Sequence, residues 1–360
     1  MCSKVLWCTT KTEGITAMQK YFLGVDGGNT KTDYLLCTVE GDFVDVYRTE
    51  TCSHERFENG YEDMEQVMGK QLTHLLNRNG IDIESIASAG LGLAGADLPS
   101  QVTELKKRVK KIGLTCYGLS NDGILGIKAA SDSGVGLCAV NGTGTVVVGI
   151  DKKGEILQVG GVGPLSGDYA GGGYISRQII SLLYDFYYRC GEDSIMFSQL
   201  MDLLKADPAD MLTLVSNHAL LSKHTVDIIQ IGSNAAVAGD TVARGIFDTV
   251  GVTIGRSAAG CIRSLSFEGL GTSQAPIDIV LVGSIWHKIP YEGMQDSFMQ
   301  TAMDLTGKHC RCITLQSPAA TGGVLWAKEI ADGTAVSAEY RKKLLETITI
   351  DRYETFAFKK

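Results

Sequence analysis

The amino-acid sequence predicts an α/β protein built from two like halves, each opening with a three-stranded meander. The first meander starts with an apolar run at 21–25 that ends in Asp26-Gly27-Gly28. The second starts with an apolar run at 137–140 that ends in Asn141 and a second glycine turn. The length agrees, because 360 residues with 44% hydrophobic content favour two domains over one. We therefore expect two domains of one plan that face each other across a cleft.

The predicted boundaries divide the chain into three parts. Residues 1–19 read as an irregular extension, so Met18 is a more natural start than Met1. The N-terminal domain covers 20–133 and the C-terminal domain covers 134–360, whose last helix could pack back on the N-terminal domain. Apolar spacing predicts helices at 61–79, 101–112, 124–130, 179–190, 294–306, 318–330 and, as the final helix, 337–347. Two helices are predicted within 194–222, and a long helical region at 225–267 whose small residues indicate close packing.

Composition excludes several classes of protein. The net charge is −8 and the basic residues are scattered, which argues against a nucleic-acid partner. Only Cys310 and Cys312 of the ten cysteines lie close together, so neither a zinc site nor a disulfide framework is indicated. No apolar run approaches the roughly 20 residues of a membrane span, and residues 1–20 lack a signal-peptide core. We expect a cytoplasmic protein with reduced thiols and no membrane partner.

The first glycine turn has the composition of a phosphate-binding loop. We expect its glycines to turn with φ > 0 and to bring backbone N–H groups close to a ligand, with polar donors beside them. The residues concerned are Gly27, Gly28, Asn29, Thr30 and Lys31. Asp26, at the strand end, could hold the Mg²⁺ that accompanies a nucleoside triphosphate. The alternative is an ordinary hairpin turn, because Asp-Gly is a common hairpin signal.

The second turn strengthens the phosphate hypothesis, because one chance hairpin does not explain two copies of the plan. This turn contributes Gly142, Thr143, Gly144 and Thr145, again between two apolar strands. A third strand, at 277–282, ends in Gly283-Ser284, and this corner could pass under the nucleoside.

Residues 90–97 (GLGLAGAD) match the G-x-G-x-x-G pattern of dinucleotide-binding proteins, but their context does not. Pro99 follows within four residues of Gly95, and no acidic ribose partner stands about 20 residues on. We interpret the segment instead as backbone that approaches a substrate, with Gly95 and Asp97 in contact with it.

Two aspartates are candidates for chemistry. Asp122 lies between a strand and a helix, where it could take the proton from an acceptor hydroxyl that attacks a γ-phosphoryl group. The alternative is an N-cap carboxylate. Asp168 lies in a segment with seven glycines in 17 residues and could bind substrate hydroxyls or metal; the alternative is a turn-forming aspartate. Neither a P-loop nor a G-x-S-x-G nucleophile motif is present.

Six motifs in order resemble the BadF/BadG/BcrA/BcrD ATPase family, which includes N-acetylglucosamine kinase, within the acetate kinase/sugar kinase/Hsp70/actin superfamily. They are GVDGGNTKT at 24–32, GLGLAGAD at 90–97, NDG at 121–123, NGTGT at 141–145, GGVGPLSGD at 160–168 and LVGSIW at 281–286. The resemblance implies duplicated actin-like, ribonuclease H-like domains with ATP and Mg²⁺ in an interdomain cleft. It also implies phosphorylation of a sugar or amino sugar, with Asp122 as catalytic base and Asp168 as substrate-binding aspartate. A homodimer is our default expectation.

The sequence departs from the family's sugar kinases on the acceptor side. His54 stands in a loop where Asn is usual, Val146 where N-acetylglucosamine kinase has Asn, Val162 in place of Trp, and Tyr169 in place of Glu. Two alternatives to a kinase stay open. One is the iron–sulfur ATPase activator of a 2-hydroxyacyl-CoA dehydratase or benzoyl-CoA reductase, although residues 168–170 lack the second cysteine that its cluster needs. The other is a non-catalytic ATP- or sugar-binding regulator.

Overall fold

The computed structural model describes residues 19–357, apart from the side chains of Arg352 and Phe356. The predicted extension, with Met18, lies outside these residues except for Gln19. In the part of the chain described, no helix is both long and apolar enough to cross a lipid bilayer.

Two five-stranded sheets form the framework, and they share one topology. The first has the order β3-β2-β1-β4-β5, with β1–β2 and β2–β3 antiparallel and β1–β4 and β4–β5 parallel. The second has the order β8-β7-β6-β9-β10 with the same directions. The strands are β1 (Tyr21–Gly27), β2 (Lys31–Thr38), β3 (Phe43–Glu50), β4 (Ile86–Leu93), β5 (Tyr117–Ser120), β6 (Gly136–Asn141), β7 (Thr145–Ile150), β8 (Ile156–Gly160), β9 (Ile277–Val282) and β10 (Cys310–Thr314). The predicted duplication is therefore confirmed strand by strand.

Fourteen α-helices within residues 19–357 cover the sheets. They are α1 (Tyr61–Arg78), α2 (Pro99–Ile112), α3 (Gly123–Ala130), α4 (Gly172–Tyr188), α5 (Ile195–Leu204), α6 (Met211–Ser216), α7 (His218–Lys223), α8 (Thr225–Val237), α9 (Thr241–Ser264), α10 (Ser284–Lys288), α11 (Gly293–Thr306), α12 (Ala319–Asp332), α13 (Ala338–Thr347) and α14 (Ile350–Ala357).

Four helix predictions differ from the structure. The region at 194–222, where two helices are predicted, forms three, which are α5, α6 and α7. The long helical region at 225–267 is two helices, because Gly239 turns with φ +99° and Asp240 then caps α9 by accepting from the backbone N–H of Ala243. Helix α4 begins at Gly172, inside the glycine-rich segment, rather than at 179. The helix at 338–347 is not the last, since α14 follows it.

The first sheet is covered on both faces. Leu23 and Val25 of β1 pack with the apolar sides of α1 and α2, while Phe22 points to the other face. That second face is covered by residues of α12, α13 and α14, among them Val324, Leu344 and Tyr353. Alternation along β1 therefore buries both faces, and the chain's C-terminal helices cover one of them.

Helices α3 and α12 form the junction between the halves. Helix α12 lies so close to the first sheet that a Cβ on Gly90 would stand 2.2 Å from the carbonyl oxygen of Gly323. A Cβ on Gly322 would stand 2.0 Å from the carbonyl oxygen of Leu125 in α3. Helix α3 in turn packs with Cys138 and other buried residues of the second sheet. Glycine at these contacts lets the backbones approach, which fixes the position of α3 and of the residue that precedes it, Asp122.

Candidate active site

The first glycine turn is the corner of the β1–β2 hairpin. The backbone N–H of Gly28 donates to the carbonyl oxygen of Lys31 at 3.0 Å, and Asn29, Thr30 and Lys31 are exposed. The hairpin alternative therefore describes the local geometry correctly. It does not exclude phosphate binding, because the donors at the corner remain accessible.

The expectation that the glycines of the first turn have φ > 0 is wrong. Neither Gly27 and Gly28 nor Gly142 and Gly144 lie in the left-handed region. A Cβ on Gly27 would stand 2.6 Å from the Leu93 side chain, so glycine is needed there for space. In contrast, no atom lies within 4 Å of where a Cβ would stand on Gly142 or Gly144. Their lack of a side chain leaves the second turn open to an approaching ligand.

Asp26 carries the electrostatic signature expected of a cation site. The pKa of Asp26 is raised to about 7, chiefly by burial and in addition by the neighbouring carboxylates of Asp122 and Asp33, while Lys31 and Arg48 partly offset these effects. A bound cation would favour the ionised carboxylate. No cluster of three or more His, Cys, Asp or Glu side chains arranged for a metal occurs within residues 19–357. Mg²⁺ often takes only one or two carboxylates together with substrate phosphates and water, so Asp26 fits that role.

A row of charged side chains extends from Asp26 across the hairpin. Asp33 faces Asp26 in the β1–β2 register, and Arg48 faces Asp33 in the β2–β3 register. The Arg48 guanidinium donates to both Asp33 oxygens, at 2.7 and 2.8 Å, and also to Glu354 of α14. Lys31 Nζ lies 3.1 Å from Asp33 Oδ2. The last helix is thus joined through Arg48 and Asp33 to β2, one of the two strands that flank the first turn.

The second turn is held against the N-terminus of α4 and the corner after β9. The backbone N–H of Gly172 donates to the carbonyl oxygen of Gly142 at 2.7 Å, and that of Gly171 donates to Asn141 Oδ1 at 2.9 Å. Gly283, at φ +107°, lies so close that a Cβ would stand 2.4 Å from the carbonyl oxygen of Asn141. The structure therefore brings the residues predicted at 142–145 together with Gly283 and Ser284.

Asp122 occupies the N-cap position of α3, but capping does not account for its carboxylate. The cap is supplied by the preceding residue, since Asn121 Oδ1 accepts from the backbone N–H of Gly123 at 2.9 Å, while Asp122 makes no capping hydrogen bond. The pKa of Asp122 is raised to about 6, chiefly by burial and in addition by the charge of Asp97, while the backbone N–H groups of Gly123 and Asp122 partly oppose the shift. A partly exposed carboxylate with a raised pKa is well suited to accept a proton.

Asp97 lies beside Asp122 and is held by two amide side chains. Its Oδ1 accepts from Asn121 Nδ2 at 2.8 Å and from Gln158 Nε2 at 3.0 Å. Gln158 was not among the predicted site residues. Its position on β8, shortly before the glycine-rich segment, was the only sequence signal available.

The segment at 90–97 gives mixed support to the interpretation of backbone near a substrate. Gly90 and Gly92 are explained by packing, against Gly323 and against Leu125 and Asp122, rather than by a ligand. Gly95 turns with φ +77°, and a Cβ there would stand 2.5 Å from His54 Cε1.

His54 is the buried neighbour of this segment. Its ring stacks on Tyr61 with centroids 4.2 Å apart, and Nδ1 has no hydrogen-bond partner among the described residues. Burial lowers the pKa of His54, although Glu55 and Asp97 oppose this. A neutral imidazole therefore lies next to Gly95, two residues from Asp97.

Asp168 is engaged mainly in shaping its own loop. Its Oδ2 accepts from the backbone N–H groups of Val162 and Gly163, at 2.9 and 2.7 Å, and from the Ser166 hydroxyl at 2.8 Å. This is the turn-forming role considered as the alternative for Asp168. Substrate binding by Asp168 stays a prediction. It would use Oδ1, because the hydrogen bonds within the loop go to Oδ2.

Comparison with solved structures places this topology among actin-like sugar kinases and their relatives. A candidate N-acetylglucosamine kinase from Chromobacterium violaceum matches with a TM-score of 0.57 at 19% identity, over 86% of this chain and 99% of that one. A transcriptional regulator of the ROK family, a homologue of the E. coli MLC protein, matches with a TM-score of 0.53 at 14% identity, over 92% and 81%. At such identities the matches show the fold alone, which here is the actin-like ATPase fold.

Two relatives match by sequence. The N-acetylmuramic acid/N-acetylglucosamine kinase of Clostridium acetobutylicum is 21% identical over 316 residues, which cover 87% of this chain and all of the relative. The N-acetyl-D-glucosamine kinase of Dictyostelium discoideum is 26% identical over 174 residues, 45% of this chain and 53% of the relative. The family model for the BadF/BadG/BcrA/BcrD ATPases matches residues 23–327. The chain belongs to the BadF/BadG/BcrA/BcrD ATPase family.

Proposed function

We propose that this protein is an ATP-dependent kinase that phosphorylates a hydroxyl of an amino sugar, with Asp122 as the general base. The environment of Asp122 carries the proposal: this carboxylate has a raised pKa, is not used as a helix cap, and lies within electrostatic reach of both Asp26 and Asp97. Both sequence relatives named above are amino-sugar kinases, which supports the choice of substrate class.

The residues divide into a phosphate side and an acceptor side. The turns at 27–31 and 142–145 would bind the β- and γ-phosphates through their backbone N–H and hydroxyl donors. The Lys31 ammonium would move from Asp33 to a phosphate oxygen. Gly283 and Ser284 would lie under the nucleoside. Asp26 would hold Mg²⁺, which supplies positive charge to the transferring phosphoryl group when it is bound.

On the acceptor side, Asp122 takes the proton from the attacking hydroxyl as its oxygen bonds to the γ-phosphorus. The bond between the γ-phosphorus and the oxygen that bridges to the β-phosphate breaks, and ADP leaves with that oxygen. Asp97, Gly95 and Asp168 would position the acceptor. Closure of the two halves would exclude water and limit hydrolysis. A homodimer, too, stays a prediction.

The experiment is a coupled assay of ADP release over N-acetylated amino sugars, free amino sugars and neutral hexoses. We expect release to depend on an N-acetylated amino sugar and a phosphorylated sugar to form in equal amount. ADP release that no sugar stimulates would contradict the proposal.

The two alternatives receive less support from the site. An iron–sulfur activator needs an accessible cysteine ahead of the second glycine turn and another near 168–170. Cys138, ahead of that turn, is buried under α3, where a Cβ on Gly126 would stand 3.5 Å from its sulfur, and residues 168–170 contain no cysteine. A colourless purified protein would argue against the activator. A regulator would bind sugar without phosphorylating it. The match to a ROK-family regulator indicates that this fold also occurs in regulators. The ADP-release assay distinguishes a kinase from a regulator, because only the kinase releases ADP in response to a sugar.

A further inference from the structure

Asp97 is the point where side chains from the two sheets meet beside Asp122. The donor Asn121 belongs to the loop after β5 in the first half, and the donor Gln158 belongs to β8 in the second. Both donate to the same oxygen, Oδ1. Asp97 Oδ2 has no hydrogen-bond partner among the described residues. The carboxylate is thus fixed through one oxygen, and the other is left to accept.

The Gln158 amide is closely confined. Its Nε2 lies 3.3 Å from the carbonyl oxygen of Gly160 as well as 3.0 Å from Asp97 Oδ1. Gly161 follows at φ +85°, and a Cβ there would stand 3.0 Å from Gln158 Nε2. The start of the glycine-rich loop is therefore shaped around this side chain. Because Asp168 Oδ2 ties the next residues of the loop together, Gln158 connects an organised loop to Asp97.

The position of Asp97 matters to the neighbouring chemistry. Its charge acts on Asp122, so a shift of the Asp97 carboxylate changes the field at the general base. A carboxylate that is free to rotate would also lose its fixed orientation toward a hydroxyl of the acceptor.

We propose that Gln158 is a positioning residue of the acceptor site: it joins the second half to Asp97 and holds that carboxylate so that Oδ2 accepts from a hydroxyl or amide of the bound sugar. This inference rests on the proposed function for the identity of the acceptor. The connection between the halves does not depend on it. Removing Gln158 should weaken acceptor binding and loosen the loop at 160–171, while leaving the ATP side intact.

The test uses two substitutions at one position. Gln158→Ala removes the donor. Gln158→Glu keeps the size of the side chain but places a second carboxylate against Asp97, so it should be the more damaging if the hydrogen bond matters and harmless if only packing matters. Gln300→Ala is the matched control, because Gln300 Nε2 also donates to an aspartate, Asp304 at 2.6 Å, but within α11.

Two measurements are made on the full-length variants. The first is the KM for the acceptor and for ATP with the best sugar from the ADP-release assay. We expect Gln158→Ala to raise the acceptor KM about tenfold with the ATP KM unchanged, and Gln158→Glu to raise it further. The second is hydrogen–deuterium exchange without ligands, where we expect faster exchange at 94–98 and 160–163 in both variants and no change in Gln300→Ala.

The outcomes separate the inference from the proposed function. If no sugar is phosphorylated but exchange accelerates at both segments, the kinase fails and the connection between the halves stands. If exchange is unchanged, or if Gln158→Glu behaves like the unsubstituted protein, the positioning role is overturned even in an active kinase.

Discussion

Asn121 and Asp122 show how neighbouring residues divide two tasks. Asn121 caps α3 with its oxygen and donates to Asp97 with its nitrogen, so both polar ends of the amide are used. Asp122 is thereby released from capping and keeps a carboxylate whose pKa is raised to about 6. Such an arrangement favours function at a cost in stability, because the ionised form is poorly solvated.

We expect Asp122→Asn to stabilise the folded protein at pH 8. The folded-state pKa, about 6, lies above the ordinary value of 3.8, so this group's contribution to stability is greatest below pH 4 and is lost as the pH rises through 6. Replacing the ionisable group should recover about 1–3 kcal/mol at pH 8 and little at pH 4. Thermal unfolding at both pH values checks this. Asp82→Asn, at an exposed position, is the control. A lower Tm at pH 8 would contradict the expected cost of ionised Asp122.

Arg48 presents a second residue-scale prediction. Asp33 is 3% exposed, and Arg48 donates to both of its oxygens. Arg48→Met should destabilise the protein by about 3–5 kcal/mol, because it leaves a buried carboxylate with Lys31 as its one remaining cationic partner within residues 19–357. Arg78→Met is the matched control, since the Arg78–Asp45 pair is more exposed, and its loss should cost about 1 kcal/mol or less. Urea unfolding measures both, and equal losses would contradict the distinction.

At the scale of elements, the second glycine turn gives a test of its own. Neither Gly142 nor Gly144 has a φ in the left-handed region, and no atom lies within 4 Å of where a Cβ would stand on either. No described residue therefore opposes a methyl group there. We expect Gly144→Ala to leave the Tm unchanged or slightly raised and to raise the KM for ATP about tenfold or more. Gly245→Ala in α9 is the control, because it also has no neighbour within 4 Å and should change stability but not kinetics. An unchanged ATP KM in Gly144→Ala would remove the turn from phosphate binding.

The elements also show which features could be predicted from the sequence. The two meanders and their corners could be predicted, because alternating apolar runs and glycine turns are local patterns. Helix α14 could not be predicted, since its position depends on the pairing of Glu354 with Arg48, which lies far away in the sequence. The role of Gln158 could not be predicted either, because its hydrogen bond to Asp97 joins distant parts of the chain. The prediction of φ > 0 in the first turn was wrong, because a sequence does not distinguish a glycine needed for its backbone angle from one needed for space, as at Gly27.

In the molecule as a whole, two sheets of identical strand order are joined through α3 and α12. This junction places the start of α3 next to the second sheet, as the contact that a Cβ on Gly123 would make with Val148 at 2.5 Å indicates. Asp122 therefore lies where residues of both halves meet, and any closure of the halves would act on it directly.

The most direct test of Asp122 as the general base is the turnover of Asp122→Asn with the acceptor found in the ADP-release assay, together with the affinity of this variant for ATP by calorimetry. We expect turnover to fall about 10²–10⁴-fold while ATP binding stays nearly unchanged. Turnover equal to that of the unsubstituted protein would contradict the assignment of Asp122 as the general base.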